Sequence, residues 1–266
     1  MSGSVPFTGL SGRVAIAGDW HGNVPWVQSV IPRLHRQAPD VTTIFHLGDF
    51  GLFPERIGEG FLSAVDFLSV AAGIERIWVT PGNHEDWGQL AARFDARPGQ
   101  PVQLSRVVWA LPRSYRFTIG RKRWMSFGGA ASLDLDWDGE GQEWQSGEAP
   151  TDSDVRTAIA GGLVDVLLTH ETVNGGTREV EDILAANPLG WGQAALEYSA
   201  ASRRRVTQVW EAVHPAILAH GHIHMKGEIE LADRRRVYSL GSNGRAGNLG
   251  VLNVETLEWR WLTDEP

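Results

Sequence analysis

Val14-Ala15-Ile16-Ala17-Gly18-Asp19-Trp20-His21-Gly22-Asn23 is the stretch whose reading decides the fold. A short apolar run stops at a glycine, an Asp-x-His pair follows, and a segment with helical spacing begins at Val24. Such a run reads as a strand buried on both faces that feeds a helix. The same order recurs along the chain. Thr43 to Leu47 runs into Gly48-Asp49, and Ile77 to Thr80 into Gly82-Asn83-His84-Glu85. Val164 to Thr169 ends at His170-Glu171, and Ala216 to Ala219 leads to Gly221-His222-Ile223-His224. Trp124 to Phe127 is a further strand-like run. Apolar residues three and four apart predict helices over Val24 to Gln37, Gly60 to Ala72 and Gln193 to Val213. Alternating strand and helix predicts an α/β layered domain.

The later part of the chain adds hairpins. Arg116–Ile119 and Arg123–Phe127 flank Gly120-Arg121-Lys122, and segments near 228–232 and 236–240 flank Asp233 and its arginines. A third pair lies either side of Glu255-Thr256-Leu257. Hairpins joined to an α/β first half predict two sheets packed face to face with helices outside, in one domain spanning residues 1–266. The acidic stretch from Ser132 to Asp154 is poor in regular pattern and reads as a long loop, which in a compact domain is often functional.

Composition narrows the function. The 266 residues contain no cysteine, so any metal must be held by nitrogen and oxygen donors. No apolar run reaches the ~20 residues of a membrane span, and Met1 to Leu10 does not read as a signal peptide, so a cytoplasmic protein without a membrane partner is expected. The net charge of -8 disfavours binding to long nucleic acid, which calls for a basic field. The local clusters Arg121-Lys122-Arg123, Arg203-Arg204-Arg205 and Arg234-Arg235-Arg236 read as solvated helix ends and hairpin turns.

Ligands of open α/β sheets bind beyond the carboxyl ends of the strands. Five predicted strand ends carry metal-type donors there: Asp19 and His21, Asp49, Asn83 with His84, His170, and His222 with His224. One such histidine is ordinarily a hydrogen-bonded structural residue, but turn chemistry does not explain five. Imidazole nitrogens and carboxylate oxygens suit two divalent cations, and a pair of cations implies hydrolysis at phosphorus or at a carbonyl. The alternating pairs Asp19/His21 and His222/His224 are expected on extended segments that aim both side chains to one side, and the neighbouring glycines are expected to allow tight turns and close approach.

The ordered set Asp-x-His, Gly-Asp, Gly-Asn-His-Glu, His and Gly-His-x-His, from Asp19 to His224, resembles the calcineurin-like metallophosphoesterase superfamily. The resemblance implies an αββα sandwich of two mixed sheets and a dinuclear centre. By position it implies that Asp19, His21 and His224 hold one metal, that Asn83, His170 and His222 hold the second, and that Asp49 bridges them. It also implies attack by a hydroxide shared between the metals, with His84 as the non-ligand histidine that donates to the leaving group or a phosphoryl oxygen. The donor set admits Mn²⁺, the favoured ion, and also Fe, Zn, Co or Ni.

One departure points away from the phosphoprotein phosphatases of this superfamily, which carry Gly-Asp-x-x-Asp-Arg-Gly. Here Gly48-Asp49 is followed by Phe50-Gly51-Leu52, so Leu52 stands in place of the aspartate that orients the catalytic histidine. Glu85 or Asp86 is a weak substitute for it. The stretch from Phe127 to Ser132, with Asp134, Glu143-Trp144 and Glu148, resembles bacterial and phage-type members. Asp136 and Asp138 read as a solvated acidic loop. His46 and His220 are expected behind the ligands or in the core, and His35 and His214 in structural positions on helices. Trp20, Phe50, Phe53 and Trp87 lie close to the motifs; ordinary packing is the simpler reading, and stacking on a nucleobase is the functional one. The expected substrate is a phosphodiester or a small nucleotide-like phosphate ester. A phosphomonoesterase (protein phosphatase or nucleotidase) and a nuclease are the alternative enzymes, and an inactive scaffold of the same fold is the alternative without catalysis.

Overall fold

The computed structural model describes Phe7 and residues 12–52, 58–133 and 147–263. Phe53, Asp134, Asp136, Asp138, Glu143 and Trp144 lie outside the described residues. In chain order the elements are β1 (Arg13–Ala17), α1 (Val24–Gln37), β2 (Thr43–His46), α2 (Gly58–Ala71), β3 (Arg76–Val79), α3 (Trp87–Ala96), β4 (Val102–Gln103), β5 (Val108–Ala110), β6 (Tyr115–Ile119) and β7 (Lys122–Phe127). They continue with α4 (Asp152–Ala160), β8 (Val166–Thr169), α5 (Arg178–Ala186), α6 (Gln193–Val213), β9 (Ile217–His220), β10 (Gly227–Glu230), β11 (Arg236–Ser239), β12 (Leu249–Asn253) and β13 (Trp259–Trp261).

The strands form two mixed sheets. The first has the order β13-β12-β1-β2-β3-β5-β4 and the second β10-β11-β9-β8-β7-β6. Each has a parallel centre: β1, β2, β3 and β5 in the first, β7, β8, β9 and β11 in the second. Antiparallel strands flank both centres, among them the three expected hairpins.

Alternation along β1 shows how the layers assemble. Val14 and Ile16 join an inter-sheet core with Phe45, Trp78, Trp124, Val166, Leu168 and Ile217. Ala15 and Ala17 face the other way, into a cluster with Val27, Val30, Ile31 and Leu34 of α1 and Val65 of α2. The outer face of the second sheet, through Met125, Leu167 and Leu218, packs on Val155 of α4 and on Val206, Val209 and Trp210 of α6. The result is the helix–sheet–sheet–helix sandwich. Among the described residues no helix is long and apolar enough to cross a membrane.

The acidic stretch near Ser132 is not loop throughout. Its end opens α4, where Thr151 accepts from the Asp154 N–H and the Asp154 carboxylate accepts from the Thr151 N–H, a reciprocal cap. The hairpin reading of Arg234-Arg235-Arg236 holds, but Arg235 is buried, with its guanidinium 4.3 Å from the Trp210 ring centroid and its Nε donating to Asp233 at 2.7 Å.

Candidate metal centre

The carboxyl ends of β1, β2 and β3 in one sheet and of β8 and β9 in the other meet at one edge of the sandwich. Asp19, His21, Asp49 and His224 form one group and Asp49, His170 and His222 a second; within each, one potential ligand atom per residue lies within 4.8 Å of the others. Asp49 belongs to both. Asn83 joins the second group, its Oδ1 lying 3.0 Å from His170 Nε2. The structure therefore brings together all seven residues expected to be ligands. The His84 ring stands beside them, 6.2 Å from the His21 ring between centroids.

The backbone that presents these side chains differs from the extended pairs expected. His21, Asp49, His222 and His224 have φ values of 47°, 49°, 70° and 58°. Left-handed conformations are uncommon for residues other than glycine and persist where surrounding contacts over-determine them. Here the contacts run from backbone to ligand. The His222 N–H donates to Asp19 Oδ2 at 3.0 Å, and the His84 N–H donates to Asp49 Oδ1 at 3.0 Å. The His21 N–H donates to the Asp49 carbonyl at 2.8 Å. Each tight turn thus folds a main-chain donor onto another turn's carboxylate or carbonyl.

Close approach explains two of the glycines. A Cβ on Gly82 would stand 2.5 Å from the Asp49 nitrogen and 2.8 Å from His170 Nε2, and one on Gly221 would meet Asp19 Oδ1. Gly82→Ala is expected to destabilise the fold by about 1–3 kcal/mol through overpacking and to displace Asp49. A urea midpoint and cation stoichiometry both equal to the parent's would refute this.

Partners that are buried or partly buried hold the candidate ligands in register. His170 Nδ1 is 2.5 Å from the Leu47 carbonyl oxygen and His21 Nδ1 is 2.8 Å from Asn243 Oδ1. Both contacts place an N–H on Nδ1 and leave Nε2 to face the cluster. Glu85 is fully buried, and its carboxylate accepts the N–H groups of Asp49 (3.0 Å), Phe50 (2.7 Å) and Gly82. It clamps the β2 and β3 loops together and is not directed at His84. Burial, followed by the charge of Asp49, pushes its pKa up against the pull of the Gly82 and Phe50 N–H groups. Glu85→Ala strands the Asp49, Phe50 and Gly82 donors and that of Gly51, and at about 1–3 kcal/mol each the loss is at least about 3 kcal/mol. Chemical denaturation measures it; a shift below about 1 kcal/mol would show that the clamp is dispensable.

The electrostatics show a site rich in unsettled charge. Burial opposes ionisation of Asp49, but the imidazoles of His170, His84 and His21 around it hold its pKa well below the usual carboxylate value. Burial likewise raises the pKa of Asp19, but the His224 hydrogen bond and the charges of His170 and His224 leave it lowered. Against the effect of burial, Asp49 holds His21 up to about 9 and His170 up to about 10. Burial and then His170 push His222 well below its ordinary value. Asp19 Oδ1 and His222 Nε2 are buried without a hydrogen bond. Unsatisfied buried polar atoms are costly and rare. A nitrogen-and-oxygen donor set with unsatisfied members and a shared carboxylate fits a pair of divalent cations.

The calcineurin-like phosphoesterase family model matches residues 12–226. The chain belongs to the calcineurin-like phosphoesterase family. No curated protein sequence matches it. Among solved structures it is similar to TT1561 of Thermus thermophilus, at 12% identity and a TM-score of 0.53 over 94% of this chain and 98% of that one. It is also similar to a dimetal phosphatase from Danio rerio, at 10% identity and a TM-score of 0.55 over 91% of this chain and 92% of that one. At these identities the likeness concerns the fold.

Around the cluster several side chains differ from their functional reading. Trp20 and Phe50 are fully buried and pack on the His46 ring at centroid distances of 4.7 and 4.8 Å. Trp20 also donates to Asn248 Oδ1 at 3.0 Å. Trp87 is buried beneath the Arg113 guanidinium and donates to the Gly82 carbonyl at 2.8 Å. These three rings are spent on packing and do not wall a cleft for a nucleobase. Leu52 packs against the cluster under α1 and α2, and Asp86 caps α3 by accepting from the Gln89 N–H. His46 and His220 lie buried behind the ligands, where burial lowers their pKa values to about 3 and about 4. His35 is exposed on α1, and His214 is the left-handed cap that ends α6. Asn243 was not among the candidates: Gly241-Ser242-Asn243-Gly244 reads only as a turn, and the tie to His21 joins residues 222 apart.

Proposed function

We propose that this phosphoesterase hydrolyses phosphodiesters or small nucleotide-like phosphate esters at a dinuclear centre. Asp19, His21 and His224 hold one cation, Asn83, His170 and His222 hold the other, and Asp49 bridges them. The observation that supports this most strongly is the membership of Asp49 in both donor groups. When bound, two divalent cations activate a water for attack and offset charge on the phosphoryl group. Asp49, held by the His84 N–H, sets the spacing of the two groups. Asn243 and the Leu47 carbonyl keep the His21 and His170 Nε2 atoms directed inward. His84 donates a proton from its imidazole to the leaving oxygen, or a hydrogen bond to a phosphoryl oxygen. Mn²⁺ is the favoured ion, with Fe, Zn, Co and Ni also admitted by the ligand set.

The absence of an aspartate at Leu52 favours a diester or small ester over a phosphoprotein. Parallel assays with bis(aryl) and mono(aryl) phosphates in Mn²⁺, each repeated after chelation, test the reading. Faster turnover of the diester, abolished by chelator and restored by Mn²⁺, is expected. Faster turnover of the monoester would establish the phosphomonoesterase instead. No turnover of either ester by protein carrying two cations would leave the fold as a scaffold.

A further inference from the structure

Asn83 can present to a cation either its amide oxygen, a ligand, or its amide nitrogen, which is none. A half-turn of the amide exchanges the two, so a buried asparagine ligand needs something to choose its orientation. We propose that Glu148, acting through Ser132, makes that choice and that both are positioning residues for the second cation. The inference rests on the dinuclear reading given above.

The three side chains form a directed chain of hydrogen bonds. Asn83, Ser132 and Glu148 are 3%, 6% and 0% exposed. Glu148 Oε1 accepts the Ser132 N–H at 2.8 Å, and Oε2 accepts the Ser132 hydroxyl at 2.9 Å. The hydroxyl has one proton, and with that proton given to the carboxylate, Ser132 Oγ can only accept. It accepts from Asn83 Nδ2 at 3.1 Å. The amide nitrogen is thereby turned away from the cluster, and Oδ1 is turned toward it, 3.0 Å from His170 Nε2. The polarity of the chain is set at the Glu148 end, because a carboxylate only accepts.

Glu148 is itself bolted to the Asn83 turn. Arg113 donates through Nη2 to the carbonyls of Gly147 (2.9 Å) and Glu148 (3.0 Å), through Nε to the Gly128 carbonyl (2.8 Å), and through Nη1 to Asp154 (3.0 Å). Its guanidinium stacks on Trp87, which donates to the carbonyl of Gly82, next to Asn83. A carboxylate far along the chain is thus held in fixed register with a ligand on another loop. Partners behind a metal ligand typically contribute 10–100-fold to metal affinity.

The test is a Mn²⁺ titration of the full chain, followed by calorimetry and by the electron paramagnetic signal that separates a coupled pair from a single ion. The parent is expected to bind two ions. Glu148→Gln and Ser132→Ala are expected to weaken the second site by roughly 10–100-fold and leave the first unchanged. Ser132→Thr, which keeps the hydroxyl, is expected to retain both sites. In the Asn83→Asp background both faces of the side chain carry oxygen, so Glu148→Gln is expected to have no effect there. Wild-type affinity in both relay variants, an equal loss in the two backgrounds, or simultaneous loss of both sites would each overturn the relay. A parent protein that binds one ion at saturation would overturn the dinuclear reading, and the relay with it, before any variant is made.

Discussion

Asp49→Asn is expected to abolish turnover of a bis(aryl) phosphate and to remove the coupled cation pair. Asparagine keeps the shape of the side chain and, like aspartate, tolerates the left-handed conformation found at φ 49°, so the turn survives the exchange. What disappears is the charge shared by both donor groups. His170 Nε2 lies 3.3 Å from Asp49 Oδ1 and His21 Nε2 lies 3.7 Å from Oδ2. Without the carboxylate, these two imidazoles lose the anion that holds them together, and the amide offers a single oxygen where the carboxylate offered one to each. Removing one partner of a buried charged pair destabilises by roughly 3–5 kcal/mol, so thermal denaturation should shift as well. Metal analysis beside initial rates provides the check. A variant with two bound Mn²⁺ ions and a rate near the parent's would exclude the bridging role.

His84→Ala is expected to lower turnover by roughly 10²–10⁴-fold while both cations remain bound. The separation is possible because His84 contributes to the site in two ways. Its backbone N–H donates to Asp49 Oδ1, and alanine retains that donor. Its ring lies near the cluster but outside both donor groups. The variant would therefore remove the proposed proton donor and keep the backbone donor to Asp49. The penalty should shrink for esters whose leaving groups are already strongly acidic, since these need little protonation. Unimpaired turnover of an ester with a poor leaving group would remove the assignment of His84.

Much of this architecture could be read from periodicity, with physical reasons for where reading stopped. Helices α1 and α6 have the residue limits that their apolar spacing predicts, and the three hairpins lie where turn residues separate alternating runs. Helices α3, α4 and α5, of nine or ten residues, were missed. Each is shorter than the roughly 11–18 residues over which apolar spacing is read, and two rest on caps, Asp86 and Thr151, that look like ordinary loop residues. Strands β4 and β5 are two and three residues long and leave no pattern.

At the site, residue types at strand ends pointed to eight donors, and the family resemblance separated His84 from the seven that cluster. Their backbone conformations did not follow from local alternation, because left-handed turns at His222 and His224 depend on contacts with Asp19, some 200 positions earlier. The roles of Ser132, Glu148 and Asn243 were hidden for the same reason, since their partners are distant in the chain. Trp20, Phe50 and Trp87 bear out the packing reading over the cleft-wall one. Proximity to a motif suggests a cleft wall, but these rings support the loops from behind.

The left-handed turns have a consequence for protein engineering. Grafting His21, Asp49, His222 and His224 as side chains onto another sandwich would not reproduce this cluster, because ordinary β-region backbone at those points would aim the donors elsewhere. At roughly 1–2 kcal/mol for each L-residue placed in that conformation, the recipient must also carry the loop-to-loop bonds that impose it. The portable unit is the set of five strand-end loops with the glycines that let them touch.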